Sequence, residues 1–192
     1  NDVLLSNASL ILGVSGAAVD SSVVWLTGAA GLLAGAFSMS AGEYVSVRSQ
    51  RELFEYQIAL EREELEQYPE EEERELELIY KAKGLPAHEA AELAKKMIAD
   101  PERGLDVLAR EELGLNPQEL GSPWGAALSS FIAFAVGAFV PLIPFLLSHS
   151  HSRLPFTIIL TAVSLFGIGA SLSLFTGRGA LASGLRMLGI GA

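Results

Sequence analysis

The stretch that decides the fold runs from residue 23 to residue 68 and reads VVWLTGAAGLLAGAFSMSAGEYVSVRSQRELFEYQIALEREELEQY. Residues 23–42 carry no charge and have the length that a helix needs to cross the hydrocarbon core of a membrane. From Glu43 onward the stretch is rich in strong helix formers, and no proline separates its two halves. We therefore predict one long helix that leaves the membrane and continues into a hydrophilic domain.

The charges of this 192-residue chain lie almost entirely beyond that transition. Residues 43–119 hold 21 of the 23 Asp and Glu residues and 10 of the 13 Lys and Arg residues, a net charge of 10 − 21 = −11. The remainder is apolar and nearly neutral. Because charges are costly in hydrocarbon, this distribution predicts a hydrophilic domain inserted into a body that contacts membrane lipid. An acidic domain attracts cations and repels phosphates, so we expect no nucleic-acid partner.

Four more apolar segments accompany the first, at residues 3–19, 124–147, 156–175 and 180–192. They predict an all-α integral membrane protein with five transmembrane helices, of which the first and last are short for a span and are expected to be truncated. A re-entrant or interfacial fifth segment is the alternative. We assign residues 1–50 to transmembrane helices 1 and 2, residues 51–121 to the hydrophilic helical domain and residues 122–192 to helices 3 to 5.

Short connections predict the topology. Residues 20–22 and 148–154 join neighbouring segments as hairpins, so the hydrophilic domain and the turn near Arg178 share one side of the membrane. Arg48 and Arg51 lie on that side as well, against Arg153 on the other. Basic residues favour the cytoplasmic side, which places the hydrophilic domain in the cytoplasm.

The available ligand types restrict any metal site. The chain has no cysteine, which excludes thiolate zinc and iron–sulfur sites and leaves oxygen donors. His149 and His151 lie on a short loop beside Arg153. Two ligands do not complete a metal site, so we interpret them as solvated loop residues.

Breaks at Pro69, at Gly84 and at the pair Asp100-Pro101 divide the hydrophilic domain into four predicted helices. The first two carry paired carboxylates at a spacing of three residues, which puts each pair on one helix face. If the helices fold back at Pro69, the four carboxylates can share divalent cations such as Fe²⁺, Mn²⁺ or Zn²⁺. The alternative is the solvated surface of a glutamate-rich run. The four residues are Glu61, Glu64, Glu72 and Glu75, and Glu112 is a possible fifth ligand.

Three residues of the apolar segments are further candidates. Asp2 directly precedes the first segment, and an ionisable residue at membrane depth indicates an ion path or proton relay unless it is an exposed terminal residue. Met39 and Glu43 are four residues apart, on one helix face near the membrane end. A thioether favours softer metals, which points to Fe²⁺, although methionine is more often a packing residue.

Several runs together resemble the vacuolar iron transporter family in a bacterial form: NDVLLSNASLILGVSGA at 1–17, AFSMSAGEYVSVRSQ at 36–50, EELGL at 111–115, PLIPF at 141–145 and TGRGALASGLRMLG at 176–189. The resemblance implies a homodimer in a membrane, here the bacterial inner membrane, that exchanges cytoplasmic Fe²⁺ for protons. It also implies a transport route through Asp2 and Met39, and glutamates of a cytoplasmic metal-binding domain that match Glu61, Glu64, Glu72, Glu75 and Glu112.

Two positions depart from the family pattern. Some relatives have methionines where this chain has Leu108 and Ala109, and some have a glutamate where Gly31 stands. These departures weaken the preference for iron over manganese and the assignment of the proton step.

The predicted function is therefore a proton-coupled exporter of Fe²⁺ or Mn²⁺, and not an enzyme. A membrane-anchored metal sensor or store that binds ions without moving them is the alternative. A ferritin-type di-iron oxidase is disfavoured, because His88 has no glutamate three residues before it.

Overall fold

The computed structural model describes residues 2–17, 20–147, 153–177 and 179–191. All regular structure in these residues is helical, which confirms the predicted all-α class. A 3₁₀ turn at Val140–Leu142 separates α6 from α7. The helices are α1 Asp2–Gly16, α2 Ser21–Gln67, α3 Pro69–Ala82, α4 Ala87–Ile98, α5 Pro101–Glu111, α6 Pro123–Phe139, α7 Ile143–Leu147, α8 Arg153–Thr176 and α9 Ala180–Gly191.

The chain divides into two compact units. The first unit comprises Asn1–Glu43 with Trp124–Ala192, and the second comprises Tyr44–Pro123. The predicted domain boundaries, at 50/51 and 121/122, lie seven residues after and two residues before these positions, and the domain assignment stays a prediction. The metal-binding role of the second unit stays a prediction.

The long helix predicted from residues 23–68 is present as α2. It has 47 residues without a break, a length of about 70 Å at 1.5 Å per residue. Its N-terminal part belongs to the first unit and its C-terminal part to the second. The sequence predicted this continuity because no helix breaker follows the apolar segment.

Three helical stretches are long and apolar enough to cross a membrane: Ser21–Gln67, Pro123–Leu146 and Leu154–Thr176. Val3–Gly16 and Ala180–Ile190 are apolar but shorter, so the number of five spans stays a prediction. Large apolar side chains of the first unit point outward, as lipid contact requires. They include Phe37, Val136, Leu174 and Phe175, the last two more than four-fifths exposed.

Two prolines interrupt the helical stretch that begins at Pro123. Pro141 and Pro144 have no backbone N–H, so the carbonyls four residues before them lose their helical donors. Nearby, the buried Asn7 of α1 donates a hydrogen bond from Nδ2 to the carbonyl oxygen of Ala138 at 2.6 Å. A side chain of the first helix thus ties α1 to the interrupted stretch.

Caps and turns in the second unit follow the predicted breaks. Pro69 occupies the first turn of α3, and Gly84 ends the following turn with a φ of 99°. Asp100 caps α5, because its side chain accepts from the backbone N–H groups of Glu102 and Arg103. These breaks let the helices pack around an apolar core formed by Leu65, Leu76, Tyr80, Ala90, Ala94, Ile98, Leu105 and Leu108.

Candidate metal centre

Glu61 is a carboxylate at a core position of α2. It lies three residues after Ile58 and four before Leu65, both of which contact the apolar core, and this spacing puts all three on one helix face. The Glu61 side chain is only 3 % exposed. Burying a carboxylate is costly unless it is protonated or paired with a cation.

Glu72 repeats this arrangement on α3. It is 6 % exposed and begins a buried face that continues through Leu76 and Tyr80 at intervals of four residues. Because Pro69 separates α2 from α3, the chain can turn back and bring the Glu72 face towards Glu61.

Glu112 supplies the third carboxylate from a helix end. It is the C-terminal cap of α5, four residues after the buried Leu108, and its side chain remains exposed. One carboxylate oxygen from each of Glu61, Glu72 and Glu112 lies within 4.8 Å of the other two. Three helices therefore direct negatively charged groups to one point at the edge of the apolar core.

Burial and mutual repulsion raise the pKa values of all three carboxyl groups in the cluster. Burial, followed by the negative charges of Glu112, Glu72 and Glu64, raises the pKa of Glu61 to about 8. Burial is also the main cause of the raised pKa of Glu72, and the pKa of Glu112 is raised by partial burial of its carboxyl group and then by the charge of Glu75. Within the described residues, one oxygen each of Glu61 and Glu72 has no hydrogen-bond partner.

The spacing of the three carboxylates fits a divalent cation. An ion at the centre of three oxygens separated by 4.8 Å or less lies at most 4.8 Å divided by √3, about 2.8 Å, from each. Ca²⁺ takes oxygen ligands at about 2.3–2.6 Å and Mg²⁺ at about 2.0–2.1 Å, so a small inward movement completes the contacts. Three carboxylates at one point suit a doubly charged ion, which favours their ionised form, and they disfavour an anion.

Glu64 and Glu75, the other two glutamates predicted from the spacing, lie near the cluster but outside it. Both side chains are exposed. The charge of Glu64 raises the pKa values of all three clustered carboxylates, and that of Glu75 acts on Glu72 and Glu112. They surround the cluster with negative charge, and direct ligation by either one stays a prediction.

The structure describes only some of the candidate residues of the first unit. Asp2 begins α1, but its side chain falls outside the described residues. Met39 and Glu43 lie four residues apart on α2, and both are exposed, Met39 by 48 %. His149 and His151 lie outside the described residues. The roles of Asp2, Met39 and Glu43 stay predictions.

A finer reading of the sequence could have separated buried from exposed glutamates. The run from Glu61 to Glu77 contains many carboxylates, but only Glu61 and Glu72 occupy positions where the helix otherwise presents apolar residues to the core. The spacing of three residues predicted Glu64 and Glu75 as metal ligands in the same way as Glu61 and Glu72. In α1, the sequence reasoning also passed over Asn7, a polar residue in an apolar segment that the structure buries.

The fold and the carboxylate cluster together define an integral membrane protein with a helical unit suited to divalent cations. Comparison with known proteins supports this class. The family model described as VIT family matches residues 1–192, and the chain belongs to this family.

Relatives with this family's name match most or all of the chain. Vacuolar iron transporter 1 of Arabidopsis thaliana is 32 % identical over 193 residues, covering 100 % of this chain and 77 % of the relative. Vacuolar iron transporter 1 of Eucalyptus grandis is 30 % identical, covering 100 % and 78 %. A vacuolar iron transporter of Acanthamoeba castellanii is 38 % identical over 120 residues, covering 62 % and 45 %. The resemblance predicted from the sequence is confirmed, as is the expectation of a transporter and not an enzyme.

Proposed function

We propose that this chain is a proton-coupled transporter that exports Fe²⁺ from the cytoplasm, with Mn²⁺ as the closest alternative cargo. The observation that carries the proposal is the cluster of Glu61, Glu72 and Glu112 in a chain whose relatives are named iron transporters. In this proposal the cluster captures ions before they enter the membrane-embedded part. The same oxygen donors also accept Zn²⁺ and other divalent cations.

Capture at the cluster exchanges protons for a metal ion. With a pKa of about 8, Glu61 carries a proton at neutral pH, which relieves repulsion among the three carboxylates. A divalent cation provides the same relief and displaces that proton. The affinity for the cation therefore rises as pH increases through about 8 and levels off above it, where Glu61 is already ionised in the empty protein.

Passage through the membrane is proposed to involve Met39, Glu43 and Asp2. Met39 and Glu43 share one face of α2, where a thioether and a carboxylate together suit Fe²⁺ better than Mg²⁺. Asp2 would alternate between a proton and the metal ion, which couples the two fluxes. We further propose a homodimer in the bacterial inner membrane, with the second unit in the cytoplasm.

Transport into sealed vesicles tests this function. The purified protein is placed in proteoliposomes that contain a metal-quenched fluorophore, and Fe²⁺ or Mn²⁺ is added outside under an imposed pH gradient. We expect quenching that depends on the gradient, and its loss in Asp2→Ala. The double variant Glu61→Gln and Glu72→Gln should raise the half-saturating Fe²⁺ concentration about tenfold or more, because cation affinity depends on ligand charge.

The exposed Glu70 provides a matched control on the same acidic surface, and Glu70→Gln should transport like the wild type. Ions that bind to the protein without reaching the vesicle lumen would instead support a membrane-anchored sensor or store. Equal half-saturation in the double variant and the wild type would remove the cluster from the transport function.

A further inference from the structure

A groove between α8 and α9 contains a charged residue, Arg186, that has no role in the proposed ion capture and transport. The groove lies in the first unit and has a volume of about 290 Å³. Gly169, at its base, keeps the two helices close, since an added Cβ would lie 2.6 Å from the carbonyl oxygen of Ser183. The lining residues are Gly169, Leu172 and Thr176 of α8 and Ser183, Arg186, Met187 and Ile190 of α9.

Arg186 is the unusual residue in this groove. It is exposed, and its neighbours Leu185 and Ile190 are exposed apolar side chains that lipid is expected to cover. Within residues 2–17, 20–147, 153–177 and 179–191, Arg186 has neither an ion pair nor a hydrogen bond. A guanidinium in an apolar membrane helix is costly without an anion or water nearby, so Arg186 requires a partner.

The position of Arg186 lets it reach the membrane surface. It lies six residues, or about 9 Å, beyond the start of α9 at Ala180. Side chains of a helix tilt towards its N-terminus, which for α9 is the end near the turn at Gly177. A long arginine side chain can therefore extend along the groove towards the headgroup region while its methylene groups remain against apolar residues.

The other groove residues fit a molecule with a polar head and an apolar tail. The Ser183 hydroxyl is a potential donor beside Arg186, and Leu172 and Ile190 provide apolar walls. Both side chains are partly exposed, Leu172 by 45 % and Ile190 by 61 %, so the walls open towards the surface of the unit. A free phosphate ion would use the guanidinium but would gain nothing from apolar walls that open towards lipid.

We propose that the α8–α9 groove binds an anionic phospholipid, with Arg186 pairing with its phosphate and an acyl chain lying against Leu172 and Ile190. This site is separate from the glutamate cluster, and it stands whichever metal ion the protein carries. Its occupant would stabilise the close packing of α8 and α9 by neutralising the one basic side chain that the described part of this groove contains.

Native mass spectrometry of the full chain in detergent micelles tests the proposal. The protein is titrated with phosphatidylglycerol and with phosphatidylcholine of the same acyl chains. We expect the wild type to prefer phosphatidylglycerol about fivefold, the size expected for one basic residue at an anionic lipid surface. Arg186→Gln should lose this preference and Arg186→Lys should keep part of it. Arg74→Gln, which removes an exposed arginine of the second unit, should bind as the wild type does.

A second variant covers the case in which Arg186→Gln does not fold. Leu172 is 45 % exposed, so Leu172→Trp should fold, narrow the groove and reduce the bound phosphatidylglycerol while Arg186 remains. A preference that survives in a folded Arg186→Gln would overturn the proposal. If that variant does not fold, unchanged phosphatidylglycerol binding in Leu172→Trp would overturn it. Displacement of the lipid by an equal concentration of inorganic phosphate would overturn it in favour of a simple anion site. If Arg186→Gln lost the mass peak of a dimer while its lipid binding stayed unchanged, the proposal would also be overturned, and Arg186 would instead contact a second copy of the chain.

Discussion

The two units of this protein differ in the side chains that they expose, although both have buried apolar residues. In the first unit, Leu174 and Phe175 are exposed, whereas the polar Asn7 and Thr157 are buried. In the second unit, Leu76 has no exposed surface, and most charged residues lie outside. Apolar side chains gain nothing by leaving lipid, so close packing and hydrogen bonds hold a membrane helix bundle together. In water, burial of apolar area stabilises the fold.

Glu61 and Glu72 are the exceptions to this rule in the second unit. They are buried at positions where apolar residues would stabilise the unit, and they repel each other when both are ionised. Local violations of this kind are expected at functional sites, where stability is given up for binding. The comparison therefore identifies the carboxylate cluster without reference to any relative.

The largest expected effect compares the loss of stability on truncating a buried leucine of the second unit with that on truncating an exposed leucine of the first. Leu76→Ala should destabilise the second unit by about 2–5 kcal/mol, because it leaves a cavity in a core that excludes water. Leu174→Ala, at an 83 % exposed position of the first unit, should change stability by less than about 0.5 kcal/mol. Hydrogen exchange of the full chain in detergent, resolved by peptide, measures both. Similar losses for the two variants would contradict the division between lipid-facing and water-facing units.

A smaller effect tests helix packing in the first unit. Gly169→Leu should destabilise the α8–α9 pair by about 1–3 kcal/mol, because its side chain would meet the α9 backbone. Gly167→Leu is the matched control on the same helix, since an added Cβ there has open space around it. Thermal unfolding in detergent compares the two variants. If Gly167→Leu were the more damaging, the close contact between α8 and α9 would not be the feature that holds them together.

The last effect concerns the buried carboxylates and depends on pH. The pKa of Glu61 is raised from 4.5 to about 8, so the folded protein holds a proton that the unfolded chain has already lost between these values. The stability of the metal-free second unit should therefore fall as pH rises from about 4.5 to 8, and change little from this group above 8. Glu61→Gln should flatten this decline and make the metal-free unit more stable than the wild type at pH 8.

Hydrogen exchange in the presence of a chelator at pH 5, 6.5 and 8, corrected for the intrinsic exchange rate, measures this dependence. Glu70→Gln, at an exposed position of α3, should follow the wild-type curve. Mn²⁺ should restore stability at pH 8 in the wild type and less so in Glu61→Gln. Identical pH dependence in the wild type and Glu61→Gln would show that Glu61 is not buried against like charges.

The sequence alone determined the helices and the separation of the chain into apolar and acidic parts. The unbroken pattern after residue 42 predicted α2, and Pro69, Gly84 and Asp100 predicted the helix ends in the second unit. These features depend on neighbouring residues in the chain, through backbone conformation, capping and the length of apolar runs. The motifs distributed over the chain were likewise enough to predict its family.

Only the tertiary structure decided which glutamates meet. Glu61, Glu64, Glu72 and Glu75 have equivalent local spacing, but the packing of α2, α3 and α5 on a shared core brings Glu61 and Glu72 together with Glu112 and leaves the other two in solvent. In the same way, Arg186 is one arginine among many in the sequence, and the pairing of α8 with α9 places it in a groove. Distances between residues far apart in the chain depend on how whole helices pack, and this packing is not encoded in the spacing along any one helix.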